Sequence, residues 1–194
     1  MKGRHSQQTQ PLRHGDGQSP TDPALLASPL EFFSEDHLRE RQICCVIDGL
    51  ALSPTFDPAA ARAVLRFVNE ELNLHMRDEA EGLFPLLARR CPAEDGIGPA
   101  IARICTDLDA ATLLLPGLRG ALARGLDTGS GLVAEDSLLL TRFASHVRRH
   151  LAAENAILLP IARARLTPRD LQKLSRQMRA RRGLPPIAET PDAD

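Results

Sequence analysis

Tryptophan and tyrosine are absent from this chain, and its six phenylalanines are vastly outnumbered by leucine, alanine and arginine. Those three are strong helix formers, so the composition reads as all-helical. An excess of one charge is missing too: 24 basic and 25 acidic residues leave a formal charge of −1. No overall field therefore draws the chain to nucleic acid or to an anionic membrane. No apolar run approaches the roughly 20 residues that span a bilayer, and the opening stretch MKGRHSQQTQPLRHGDGQSP holds no apolar signal core. A cytoplasmic protein with no membrane partner is expected. Four cysteines, Cys44, Cys45, Cys91 and Cys105, lack the CxxC spacing of zinc or redox motifs. In a reducing compartment they are expected to be buried small hydrophobes rather than disulfides. Phosphate-binding loops and nucleophile elbows are also lacking, which removes the usual signatures of nucleotide enzymes and hydrolases.

What is present is a chain of 194 residues, the size of one ordinary domain with loose ends. Residues 1–27, rich in Gln, Gly, Pro, Ser and His without periodicity, read as a disordered N-terminal arm carrying His5 and His14. Ser28-Pro29-Leu30-Glu31 combines an N-cap serine, a proline at the first helical position and a glutamate three residues after the cap, so a first helix should run to about Leu52. Asp57-Pro58 repeats the signal and opens a second helix to about Arg90. A third covers about 99–125, with Pro116-Gly117 expected to kink it. After the loop DTGSG a fourth extends from about Ala134 to Arg165. Four long amphipathic helices on short loops form an up-down-up-down four-helix bundle over residues 28–166. Thr167-Pro168 caps a short fifth helix within residues 167–183, ending in the basic run RARRG, which reads as a solvated C-terminus complementing the helix dipole. Residues 184–194 form a loose tail.

One stretch of the fourth helix, HVRRHLAAENAILLP (residues 146–160), places His146, His150 and Glu154 four residues apart, in register with apolar positions. Three polar groups aimed at a core are costly unless something satisfies them. The second helix carries the same device: His75, Glu79 and Pro85 of HMRDEAEGLFP match His150, Glu154 and Pro160. Residues at i and i+4 share a helix face, so each His-Glu pair reaches one point in space. Height along the bundle is a test. At ~1.5 Å per residue His75 lies roughly 27 Å from the first interhelical turn, His37 roughly 24 Å from the same turn, and His150 roughly 28 Å from the turn preceding its own helix at the same end of the bundle. Three histidines from three helices share one layer, with Glu79 and Glu154 one turn away.

The set His37, His75, Glu79, His150 and Glu154 mixes imidazole and carboxylate, which suits non-haem iron ahead of manganese or zinc. Five or six such donors are too many for one tetrahedral zinc and fit two irons with an open coordination position. His146, one turn before His150, is a sixth metal candidate, a partner to a ligand or a capping core residue. Cys44 lies ~10 Å further along the first helix than His37, too far to ligate the same ions. Met76, Arg77 and Asp78, between the paired ligands, are expected to face outward or toward helix boundaries.

With these residues in hand the sequence resembles the hemerythrin-like, or HHE cation-binding, family. The likeness rests on Asp36-His37 and on the two H-x3-E-x5-P stretches at 75–85 and 150–160, and spans about residues 28–165. It implies a bundle holding an oxo- or carboxylate-bridged di-iron centre; relatives bind oxygen, handle nitric oxide or peroxide, sense iron or help repair damaged iron–sulfur clusters. The family usually supplies a further histidine from the third helix, where this chain has Leu108 after Asp107. Asp107 and Asp109 fall at the edges of that helix's apolar stripe. Compensation by His146, Glu40 or Asp109 would preserve two irons, and its absence would leave an under-coordinated or single iron. Glu40 has a plainer alternative, an ion pair with Arg39, Arg41 or another helix. The function implied is a di-iron protein that binds a small ligand (oxygen, nitric oxide or peroxide) or handles iron, a ligand-binding role rather than a demonstrated enzyme. The rival is a metal-free or single-metal bundle serving as a scaffold, its histidines and glutamates hydrogen-bonded to one another.

Overall fold

A computed structural model of the protein describes residues 18–185, and all the regular structure among them is helical. The expectations for the first 17 residues, including His5 and His14, and for the tail beyond residue 185 lie outside the described residues. Helix α1 is Pro29–Leu52. Helix α2 covers 58–90, in which α-helical Pro58–Arg66, Leu72–Asp78 and Phe84–Arg90 are joined by π-helical turns Phe67–Glu71 and Glu79–Leu83. Helix α3 is Ile97–Thr128, and α4 covers 134–165, its α-helical Ala134–Ala153 and Leu159–Arg165 joined by a π turn at Glu154–Leu158. Helix α5 is Pro168–Arg181.

Local chemistry accounts for these boundaries. The Asp57 carboxylate accepts from the amides of Ala59 and Ala60, and the Thr167 hydroxyl and Asp170 carboxylate close a reciprocal capping box on α5, each cap worth about 1 kcal/mol. Ser28 stands at the N-cap of α1 but makes no side-chain cap; its own amide bonds back to the Leu25 carbonyl, and the Glu31 side chain turns to Arg163. Gly129, at φ 67°, ends α3 in the left-handed conformation that glycine adopts without strain. Helix α3 continues through Pro116, and Gly117 beside it admits Leu139 of α4, whose Cδ1 would lie 2.5 Å from a Cβ there.

In the bundle α4 packs along both α1 and α3, and α2 along the same two. The helices are thus neighbours in chain order around a ring, with α2 and α4 on one diagonal and α1 and α3 on the other, the up-down-up-down bundle expected from the sequence. The apolar core falls into two separate clusters. One fills the end near the α1–α2 turn, around Ile47, Val64, Leu118 and Phe143; the other fills the opposite end, around Phe33, Leu87, Ile104 and Leu158. A polar layer divides them.

Four expectations are corrected. The arm does not run loose to residue 27: Asp22 caps a 3-10 turn at Pro23–Ala27, Leu26 is fully buried in the second cluster, and its carbonyl accepts from Ser175 Oγ at 2.6 Å. An apolar anchor outweighs the polar composition around it. The end of α5 is not a solvated basic run, since Arg181 and Arg182 clamp Asp78 at 2.8 and 2.7 Å; Asp78, expected at the periphery, is completely buried. Among the cysteines only Cys44 is buried, its thiol pushed by burial up to about 12; Cys45 is exposed, and Cys91 and Cys105 are half-buried. All four are free thiols.

Candidate metal centre

The polar layer is built by repetition. In both α2 and α4 a π turn begins at the glutamate of the duplicated motif: Phe84 N–H reaches back five residues to the Glu79 carbonyl, and Leu159 N–H does the same to Glu154. In each case a proline follows immediately, Pro85 or Pro160. Proline has no N–H to offer the carbonyl four residues before it, and its ring crowds that carbonyl; widening the turn relieves the clash. The repeated proline thus reshapes the helix where each glutamate leaves it.

Five of the six residues singled out by sequence come together. His37, His75, Glu79, His150 and Glu154 are each at least 98% buried. Glu79 Oε1 lies 3.0 Å from His75 Nε2, and its Oε2 lies 3.6 Å from His150 Nε2, so one carboxylate reaches imidazoles on both diagonal helices. Glu154 Oε2 sits 3.2 Å from both His37 Nε2 and His150 Nε2. The His37 and His75 rings are 5.3 Å apart, with Phe33 packed edge-on against His75. His146 is not brought to this cluster. Its ring is at the surface side of α4, with Nδ1 3.2 Å from Asp107 Oδ1, and Arg149 shares that aspartate. The expectation that His146 completes the set is corrected because Asp107, at the edge of α3, offers it a partner before it can turn inward.

Three contributors outside the main set emerge. His75 Nδ1 faces Asp36 Oδ2 at 2.8 Å, and Thr21 Oγ donates to Asp36 Oδ1 at 2.6 Å. His37 Nδ1 faces Asn155 Oδ1 at 3.2 Å, while the Asn155 amide donates to the Leu151 carbonyl. Those acceptors place the proton of each ring on Nδ1 and leave Nε2 as a lone pair turned into the cluster, the arrangement that orients metal-ligating histidines. Glu40 is the third, 99% buried with Oε1 3.3 Å from His75 Nε2. Asn155 carries no sequence signal beyond adjacency to Glu154. Asp36 stood beside His37 in the motif, and only the structure shows that it serves His75 instead.

On α3 no carboxylate or imidazole faces the layer. Asp107 is taken up by His146 and Arg149, and Asp109 is exposed, so of the alternatives left open for the missing α3 histidine Asp109 does not reach the layer. Cys105 is the α3 side chain that feels the cluster: burial first, then Asp109 and Glu79, push its thiol up.

The electrostatics call for a cation. Burial opposes charge on His150, yet Glu154 and Glu79 hold its imidazolium up at about 11; burial likewise opposes charge on His75, and Glu40 and Glu79 lift it well above the ordinary range. Burial raises Glu40 to about 7 against the pull of His75. Glu154 is drawn well below the usual carboxylate range by His150 and His37 in spite of burial.

A sharper test is hydrogen bonding. Nine buried nitrogens and oxygens on His37, Glu40, His75, Glu79, His150 and Glu154 have no partner with hydrogen-bond geometry, although five pairs among them stand only 3.0–3.6 Å apart. Buried polar atoms left without such partners are costly, and a cation that all of them could face removes that cost. Donor atoms of His37, His75, Glu79 and Glu154 lie within 4.8 Å of one another, close enough for one ion to touch all four. The donor set fits a metal.

The sequence profile of the hemerythrin HHE cation-binding domain matches residues 28–162. The chain belongs to that family. The matched span begins at the start of α1 and ends within α4, so it takes in the whole polar layer and leaves α5 outside. No curated protein matches the chain. As a hemerythrin HHE domain, the protein has a buried His/Glu/Asp cluster that could hold a metal ion, and among the described residues no helix is long and apolar enough to cross a membrane.

Proposed function

We propose that the protein is a cytoplasmic di-iron protein that binds a small ligand, such as oxygen, nitric oxide or peroxide, or holds iron for transfer. The observation that carries this reading is the convergence of unpartnered, buried imidazole and carboxylate atoms from three helices on one point. His37, His75, Glu79, His150 and Glu154 would hold the ions; iron, when bound, supplies a redox-active Lewis acid at which a small ligand can coordinate.

The chain's own residues do the rest. Asp36 and Asn155 keep the Nδ1 protons of His75 and His37 in place, so that both Nε2 lone pairs stay available. The two apolar clusters shut water out from either end of the bundle. On the side of α3, a cleft of about 370 Å³ lies between α3 and α4, with Ile104 and Ala153 in its lining.

Metal analysis of protein purified without added iron tests the reading. About two irons per chain, with near-ultraviolet charge-transfer absorption that responds to nitric oxide, is the expected result. A metal-free protein that stays helical and takes up no Fe(II) anaerobically would establish the rival, a hydrogen-bonded scaffold.

A further inference from the structure

We propose that Glu40 is itself a metal ligand, so that α1 supplies two donors to the centre and none from α3 is needed. This rests on the metal-binding reading above and adds a residue and an asymmetry to it.

Glu40 sits three residues after His37 on the same face of α1 and is 99% buried, with Oε1 lacking any hydrogen-bond partner. The cations that could have claimed it are otherwise placed. Arg39 forks onto Glu71 at 3.0 and 3.2 Å and donates to the Gln18 carbonyl, and Arg41 is exposed. No arginine or lysine claims this buried carboxyl, and a buried carboxyl without such a partner is expensive for a core to hold. Its Oε1 lies 3.3 Å from His75 Nε2, the same nitrogen that Glu79 Oε1 approaches at 3.0 Å. Glu40 and Glu79 therefore converge on His75 from two helices.

The donors fall into two unlike groups. Glu40 Oε1, Glu79 Oε1 and His75 Nε2 form one, and the donor atoms of Asp36, Glu40 and His75 lie within 4.8 Å of one another. His37 Nε2 and His150 Nε2 gather on Glu154 Oε2 in the other, with Glu79 Oε2 turned toward it. The first position offers one imidazole and two carboxylates, the second two imidazoles and two carboxylates. Glu40 takes the place of the imidazole that α3 does not provide, with an oxygen donor that favours harder cations. The His75 position then depends on Glu40, and the His150 position does not.

The test uses the full chain, stripped of metal and titrated anaerobically with ferrous ammonium sulfate against a chromophoric chelator. Wild type should take up about two ferrous ions per chain, and Glu40→Gln and Glu40→Leu should each retain one and bind the other at least about tenfold more weakly. Circular dichroism of the metal-free proteins supplies a second reading. Glu40→Leu replaces a buried carboxyl lacking any hydrogen bond to Oε1 with an apolar side chain of similar size, so its metal-free form should melt no lower than wild type, whereas loss of a structural pair with His75 would lower the melting point. If both variants bind two ions as tightly as wild type, Glu40 is not a ligand and the wider metal reading stands. If wild type itself takes up no ferrous ion, both fall together.

Discussion

His75 Nδ1 and Asp36 Oδ2, 2.8 Å apart and 39 residues distant in sequence, join α2 to α1 directly behind the candidate centre. The hydrogen bond from His75 and its charge bring the Asp36 carboxyl below its ordinary range although burial pushes it up. Asp36→Asn keeps the shape and removes the charge, and should weaken Fe(II) binding by about 10–100-fold with little change in helicity. Chelator competition measures it. An unchanged affinity would mean that the His75 ring needs no carboxylate to hold its tautomer.

The two histidines of α4 should behave oppositely. His150→Ala, like His75→Ala or Glu154→Ala, removes a donor from the layer and should abolish most metal uptake. His146→Ala removes a half-exposed partner of Asp107 and should leave the metal content at the wild-type level, as His5→Ala should. Metal analysis of the purified variants decides; an equal loss in His146→Ala would relocate the site toward α3.

Pro85 is expected to matter for affinity rather than for folding. Pro85→Ala restores an N–H that can bond to the Glu81 carbonyl, letting the π turn at Glu79–Leu83 relax to α-helix and turning Glu79 away from His150. The metal-free protein should melt at or above the wild-type temperature while Fe(II) affinity falls. A variant that binds iron normally would show that the glutamate does not depend on the wide turn.

Asp170 predicts an acid dependence far from the centre. Arg90 donates to it at 2.7 and 3.1 Å and Arg89 at 2.6 Å, and the hydrogen bond from Arg90, with those from Thr167, holds its carboxyl well below 3.8 against the effect of burial. A carboxyl depressed in the folded state stabilises fully above its unfolded value and loses that contribution as pH falls toward the folded one. Because Arg89 and Arg90 are partly exposed, Asp170→Asn should cost about 1–2 kcal/mol at pH 7. In urea melts the gap between the two proteins should narrow as the pH is taken below about 4. A gap that stays constant to pH 2 would mean that the charge of Asp170 contributes nothing.

Most of the architecture was legible because it is periodic. Helix spacing, the Asp57 and Thr167 caps and the repeated H-x3-E-x5-P device are local patterns, and the rise per residue sufficed to put His37, His75 and His150 at one height. What escaped were pairings decided across helices. Glu40 and His146 both lie one turn from a ligand, and sequence spacing treats them alike; only the position of Asp107 on α3 and of Glu71 beside Arg39 sends one outward and leaves the other inside. Asp78 escaped for the same reason, since its partners Arg181 and Arg182 lie more than 100 residues away. Leu26 was hidden in a stretch whose average composition is polar, although one buried leucine is enough to pin it.

The division of the core into two apolar clusters makes the middle of this bundle its least cohesive section. Elsewhere a four-helix bundle is knit by leucines along its whole length and frays at the ends. Here the ends are oily and the waist is ionic, crossed by two wide turns whose backbone bonds already depart from the α pattern. A cation seated at that level acts as a rivet through three helices, and without it the amides of residues 75–83 and 150–158 should exchange with solvent ahead of those in either apolar half. Loss of metal would then be felt first as a loosening at the waist, with the two ends still closed.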